Sequence, residues 1–396
     1  DHATAQKELE ACAQAYPGSR GIIYEALADL YEDMDSPAAA VGALENLMQA
    51  DPAHSGDHLH RLGRHHLLNG NASTAFTAFD ALATHCRDSK YADDASFWAA
   101  RLAMQAGRTA EAAQRFNALR RNAPYSYFAN RAPDYLAQLG AAPEPDWRSG
   151  VGAGAFPDTD SEALRAGYAF MDMGYHRMAG AEFALALARG GDEADAGGVG
   201  MARLLRAQGE MIPSVKAIEL RVQFNPAFHN MVMNHPAYRE LLYPTLYIDA
   251  VRRAAAGHSV PTALAFAVIR QESRFEPTAT SHSNAKGLMQ IIPSTGKWIA
   301  SKRGISGFSV DQLYEVQRNV DFGNWYIREM LNKNGGSKYL AVAAYNGGPG
   351  NVNKWKKRYD TSDIDLFTEH IPRYETRDYV TKVMHNWYVY DYLLNN

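Results

Sequence analysis

The sequence predicts an all-α chain, a superhelical array of helical hairpins followed by a compact helical domain. Three observations carry this. A packing pattern recurs with a period near 35 residues in the N-terminal half. Residues 259–273 contain a run that is apolar on every side over a helix's length. No segment sustains the alternation of apolar and polar residues, bounded by hairpin turns, that a half-buried strand requires. At 396 residues, 46% hydrophobic and 21% charged, the chain exceeds what one core usually organises and has ordinary globular composition, which excludes disorder and implies two or three domains. No stretch approaches the roughly 18 consecutive apolar residues of a membrane-spanning helix. The sequence opens at Asp1 without the basic-then-apolar pattern of an export signal, so it reads as a mature or trimmed form whose native signal or anchor lies outside it.

The array comes first in the chain. Asp35, Gly70 and Gly107 are helix breakers 35 and 37 residues apart. Each is followed at the fifth position by alanine (Ala40, Ala75, Ala112), at the ninth by a large apolar residue (Leu44, Phe79, Phe116) and at the twelfth by leucine (Leu47, Leu82, Leu119). Small residues where helices meet, and a breaker between two amphipathic segments, make this a tetratricopeptide-like (TPR-like) pattern. Such hairpins stack because one alone cannot bury its apolar face. Weaker echoes at Gly174, Ala179 and Phe183, and near Gly209, extend the array to about residue 225. Residues 141–160 are rich in Pro, Gly and Ala and read as an irregular connection. The expected division is a hairpin superhelix at 1–140, a linker at 141–160, a second helical-repeat subdomain at 161–240 and the compact domain at 241–396.

Residues 241–396 hold 19 Lys+Arg against 14 Asp+Glu, net +5, and residues 1–240 hold 21 against 30, net −9. The mildly basic half suits an anionic polymer, nucleic acid or an acidic glycan. Cys12 and Cys86 are the only cysteines and have no metal spacing, leaving either one disulfide or two buried thiols. His54, His58, His60, His65 and His66 cluster without a clear third ligand type at metal spacing, so a packed or solvated polar face is the expectation. Gly150, Gly152 and Gly154 follow no strand and form no complete phosphate loop; linker flexibility accounts for them.

The compact domain carries the chemistry. Pro261 is placed for the first turn of a helix, and Leu264 to Ile269 are apolar all round, so that helix is a buried one. Its last turn delivers Glu272. Apolar packing and the negative end of the helix dipole both disfavour a carboxylate there, which raises its pKa and suits it to donate a proton to a leaving oxygen.

Four blocks follow in order: RQESRF at 270–275, GLMQ at 287–290, AYNGGPG at 344–350 and EHIPRYETRDYV at 369–380. Together they resemble the catalytic domain of the soluble lytic murein transglycosylases, over about residues 241–396. The resemblance implies a goose-lysozyme-like helical fold, with Glu272 as catalytic acid and base and Ser273 beside it. It also implies that Ser281 lies near the glutamate and the substrate N-acetyl group, and that Met289 and Gln290 line the glycan cleft. Tyr345 and Asn346 are placed beside the acid, and Glu375 at the cleft floor. Lys354, Lys356, Lys357 and Arg358 form a basic run open either to solvent or to peptide carboxylates. Two positions depart from the pattern: Asn284 stands where glycine is usual, and Gly347 where alanine is.

Glycosidases ordinarily use two carboxylates, and no second acid occupies a matching family position. The resemblance therefore implies a single-carboxylate lyase that cuts the MurNAc-(β1,4)-GlcNAc bond without water and leaves 1,6-anhydroMurNAc ends. Two rival readings are a lysozyme-type muramidase on the same fold and a non-catalytic glycan-binding scaffold. The implied partners are peptidoglycan glycan strands, with cell-wall synthesis or remodelling proteins as candidates for the repeats; nucleic acid, cofactors and metals are not expected. The implied compartment is the periplasm, where the substrate lies.

Overall fold

The computed structural model describes residues 2–34, 36–51, 55–144, 161–223 and 225–395. Among these the chain is all-α: helices joined by turns and loops, the loop 274–292 among them, with isolated bridges at Lys286 and no strand. No described helix is long and apolar enough to cross a membrane. Two compact units result, Asp1–Trp147 with Asp363–Pro372, and Arg148–Ser362 with Arg373–Asn396.

The first unit is built from α1 (His2–Ala15), α2 (Arg20–Asp33), α3 (Pro37–Ala50), α4 (Ser55–Leu68), α5 (Ala72–His85), α6 (Ala92–Gln105), α7 (Thr109–Asn122) and α8 (Tyr127–Gln138), each packed on its neighbours in order. The repeat positions are its core. Ala40, Leu44, Leu47, Ala75, Phe79, Leu82, Ala112, Phe116 and Leu119 are all between 0 and 3% exposed. The small residues explain how helices approach: a Cβ on Gly63 of α4 would lie 2.9 Å from the Phe79 ring of α5. The histidines are packing groups here. His60 bonds Asp94 at 2.5 Å and stacks on Tyr91, His65 bonds Glu32 at 2.8 Å, and His58 and His66 are buried. Cys12 and Cys86 form no disulfide. Asp35, His54, Gly150, Gly152, Gly154 and most of 141–160 lie outside the described residues.

The second unit begins with α9 (Glu162–Asp172), α10 (His176–Arg189), α11 (Gly191–Ala207), α12 (Met211–Val222), α13 (Pro226–Asn234) and α14 (Pro236–Leu242). Phe183 on α10 fills the space left by Gly167 of α9 and Gly200 of α11, the same device as in the first unit. The same unit continues with α15 (Ile248–Gly257), α16 (Thr262–Ser273), α17 (Pro293–Lys302), α18 (Val316–Lys333), α19 (Lys338–Gly347) and α20 (Pro349–Arg358), and closes with α22 (Tyr374–Asn395). The remaining helix, α21 (Ile364–Glu369), belongs to the first unit. Helix α16 lies against α22 at the centre of the second unit, and every residue from Ala263 to Arg270 is buried.

Candidate active site

Helix α16 is buried from Ala263 to Arg270, as an all-apolar helix must be, and its end is held by specific contacts. Pro261 precedes the first turn of α16, and the helix stops because Arg274 and Phe275 take left-handed backbone, φ 47° and 69°. Non-glycine residues in that region carry strain, which persists only where surroundings over-determine it. The anchor is Arg270. Its buried guanidinium donates to the Leu242 carbonyl at 3.0 Å and Asn386 Oδ1 at 2.9 Å, reaches Glu219 at 2.9 Å and lies 4.3 Å over the Tyr243 ring. Arg274 pairs with the same Glu219 at 3.0 Å. Sequence reasoning passed over Arg270, because a lone arginine in an apolar run gives no sign of its partners.

Glu272 is half-buried, and Tyr379 on α22 donates its hydroxyl to Glu272 Oε1 at 2.6 Å. Burial pushes the carboxyl pKa up to about 7; the Tyr379 hydrogen bond pulls it down, and the charge of Glu375 adds to the rise. Both Tyr379 and Tyr345 hold their protons well above the usual phenol range, through burial first and the Glu272 charge second. Tyr379 sits in the last of the four blocks but carried no assignment: nothing local marks a tyrosine that bonds a carboxylate 107 positions away.

The other predicted residues separate into those that meet this centre and those that support it. Tyr345 donates its hydroxyl to the Met289 carbonyl at 2.7 Å. The Met289 side chain, expected to line the cleft, is instead fully buried against Gly323 and Asn324, so this residue meets the site through its backbone. Ser273 is also buried, its hydroxyl given to the Leu288 carbonyl at 2.8 Å, which ties the end of α16 to the loop bearing GLMQ. Gln290 adopts φ 47° and turns its amide back on the carbonyls of Ala279 and Gly287 at 3.1 and 2.8 Å. Ser281 is exposed and accepts the Ala285 amide at 3.0 Å within its own loop. Asn346 accepts from Thr376 at 2.7 Å, joining α19 to the first turn of α22, and Glu375 is exposed beside it on that turn.

Both departures from the family pattern have a geometric basis. Asn284 has φ 61°, the left-handed conformation that glycine adopts freely and that asparagine tolerates better than most residues. A Cβ on Gly347 would meet the buried Thr376 at 3.0 Å and the Trp355 ring at 3.1 Å, so glycine leaves the space that those two side chains fill. The loop is locked by Asn319, unforeseen in the sequence. It accepts the Met289 amide at 2.7 Å and donates to the carbonyls of Lys286 and Leu313 at 2.8 and 2.7 Å. A cavity of about 270 Å³ is lined by Trp298, Tyr326, Met330, Lys333 and Pro349, and the Tyr326 ring lies 5.3 Å from that of Tyr345. Among the described residues no three His, Cys, Asp or Glu side chains gather into a group able to hold a metal.

The family model described as Transglycosylase SLT domain matches residues 249–368. The soluble lytic murein transglycosylase of Escherichia coli K12 is 35% identical over 144 residues, 36% of this chain and 22% of that protein. The solved lytic transglycosylase Slt of Pseudomonas aeruginosa superposes with a TM-score of 0.71 at 21% identity, covering 99% of this chain and 61% of that one. The 70-kDa soluble lytic transglycosylase of E. coli gives 0.63 at 22%, covering 100% and 62%. The sequence match thus spans about a fifth of its curated relative, and the fold match about three-fifths of the solved chains. Residues 249–368 thus match the transglycosylase SLT domain, and the chain shares its helical fold with the solved lytic transglycosylases.

Proposed function

We propose that the protein is a peptidoglycan lytic transglycosylase that cuts the MurNAc-(β1,4)-GlcNAc bond with Glu272 as the single acid and base. The observation that carries this is the state of that carboxyl: half-buried, bonded to Tyr379 at 2.6 Å, with a pKa raised to about 7. A group poised there is protonated often enough to give its proton to the bridging oxygen and basic enough to take one back. In the first step Glu272 protonates that oxygen while the 2-acetamido carbonyl of MurNAc closes on C1, and the C1–O bond to GlcNAc breaks. In the second, carboxylate Glu272 takes the proton of the C6 hydroxyl, whose oxygen displaces the acetamido oxygen from C1. The product is 1,6-anhydroMurNAc, and no water is consumed.

Around this centre Ser281, Gln290, Tyr345, Asn346 and Glu375 would contact or orient the glycan, with Ser273 and Met289 fixing the loop beneath. The cavity between Trp298 and Tyr326 would take a sugar ring on its aromatic faces, with Lys333 toward substrate carboxylates. The periplasm follows from where such a substrate lies. One observation favours a second reading, hydrolysis: the charge of Glu375 acts on Glu272, and a second carboxylate is what a water-activating muramidase needs. Digestion of purified murein with mass analysis of the fragments separates them. Anhydro ends, lighter by one water than reducing ends, are expected; reducing ends alone would replace the lyase by the hydrolase, and no fragments would defeat both.

A further inference from the structure

Helix α16 ends one residue after Glu272, and the chain leaves it through the left-handed backbone of Arg274 and Phe275. Two arginines bracket the carboxyl, Arg270 before it and Arg274 after it, and one carboxylate serves both. That carboxylate is Glu219 of α12, which lies upstream of residue 249, where the family match begins. Its Oε1 is 2.9 Å from a terminal nitrogen of Arg270, and its Oε2 accepts Arg274 Nε at 3.0 Å with a terminal nitrogen at the same distance. All four residues belong to the second unit.

The two arginines are not equally supplied. Arg270 also has the Leu242 carbonyl, Asn386 and the Tyr243 ring, whereas among the described residues Glu219 is the only side chain that takes the Arg274 guanidinium. A left-handed arginine persists only where its surroundings over-determine it, and at this residue the side-chain tie is Glu219. Helix positions four apart share a face and the position midway points away from it. Glu219 therefore grips the back of the turn whose front presents Glu272 to Tyr379. The same grip orients Arg270, whose guanidinium donates to Asn386 on α22, the helix that bears Tyr379. Without the anion, two guanidiniums one turn apart repel each other, and Arg270 is left charged at 8% side-chain exposure. Ser273 on the Leu288 carbonyl and Phe275 on the Phe266 ring still hold the chain there, so the fold persists while the turn loosens. We propose that Glu219 is a positioning residue for the reaction: by bridging Arg270 and Arg274 it fixes the last turn of α16, and so the Glu272 carboxyl against the Tyr379 hydroxyl. This rests on the transglycosylase reading. On it, a helix outside the family match takes part in catalysis without touching substrate.

The test uses the full chain with Glu219→Gln, which keeps shape and removes the charge. Turnover of murein should fall in kcat on the order of 10- to 100-fold, as expected for a misplaced catalytic group, with KM little changed. The alkaline limb of the pH profile should move upward as the Tyr379 hydrogen bond loosens. Arg274→Gln, which leaves Arg270 paired, should give a smaller loss of the same kind, and the double variant should lose less than the product of the two factors. Ile218→Ala, a cavity in the buried face of the same helix, is the control: it should lower stability and leave kcat unchanged. Hydrogen exchange on peptides from 270–276 is independent of activity, and the Arg274 amide, bonded to the Arg270 carbonyl at 3.2 Å, should lose protection in Glu219→Gln. Unchanged kcat in Glu219→Gln, or an equal fall in Ile218→Ala, would overturn the proposal and leave the bridge a structural tie. A wild type that turns over no murein would defeat the transglycosylase reading, and unchanged exchange at 270–276 would then overturn the bridge as well.

Discussion

Replacing Glu272 by Gln should make the protein more stable, but only above acid pH. In the folded chain the carboxyl keeps its proton up to about pH 7, against an ordinary value of 4.5. Between those values the native state holds a proton that the unfolded chain has released, so native stability falls as pH rises, by about 1.4 kcal/mol per pH unit. The loss is complete above pH 7 and approaches about 3 kcal/mol; solvent reaching the half-buried carboxyl trims this to about 2 kcal/mol. Glutamine has no proton to lose and can still accept the Tyr379 hydroxyl. The variant and the wild type should therefore match near pH 4 and diverge by about 2 kcal/mol in the variant's favour at pH 8.5. Urea unfolding at pH 4, 6 and 8.5, with equal slopes in both proteins, measures this directly. A difference that is constant with pH, or larger in acid, would refute the raised carboxyl and with it the acid role. The same variant should yield no anhydro ends.

Tyr379→Phe removes the hydrogen bond that lowers the Glu272 pKa, so the alkaline limb of the rate profile should move to higher pH, with kcat falling on the order of 10- to 100-fold. Glu375→Gln removes a charge that raises it, and the limb should move the other way; abolition of turnover instead would favour the hydrolase. Ser281→Ala and Tyr345→Phe should cost on the order of 10- to 1,000-fold, as positioning or polarising groups do. Gly287→Ala should lower stability by about 3 kcal/mol or more in urea unfolding, because φ is +76° there and a Cβ would collide with the Leu313 carbonyl and Asn319.

What the sequence made legible was whatever chemistry repeats or concentrates locally. The alanines, phenylalanines and leucines spaced about 35 residues apart came out as core, and the all-apolar run came out as a buried helix ending in Glu272. Contacts made at long range left no local mark. Arg270 finds Asn386 across 116 positions, Tyr379 finds Glu272 across 107, and Arg64 finds Glu369 across 305. Met289 shows a further limit: an apolar residue in a glycan-cleft motif fits either cleft or core, and Gly323, which leaves room for its thioether, lies 34 residues on. Asn284 was readable as a departure from a pattern, but its cause, a left-handed backbone, is a property of the folded loop.

The acid and base roles proposed for Glu272 make two demands on its environment that one influence could not meet. Burial alone favours the acid and would leave the conjugate base too reluctant to form; it raises the pKa and is the largest influence on it. Tyr379 acts the other way, because the hydroxyl it donates to Oε1 stabilises the anion more than the acid. On the proposed reaction, the proton-giving step leans on the apolar walls of α16 and the proton-taking step on Tyr379 of α22. Both elements share an anchor within the second unit: Arg270 of α16 reaches Glu219 at 2.9 Å and donates to Asn386 of α22 at 2.9 Å. On the proposed reaction a single carboxylate serves both steps because different groups favour its two forms, apolar burial the acid and the Tyr379 hydroxyl the anion.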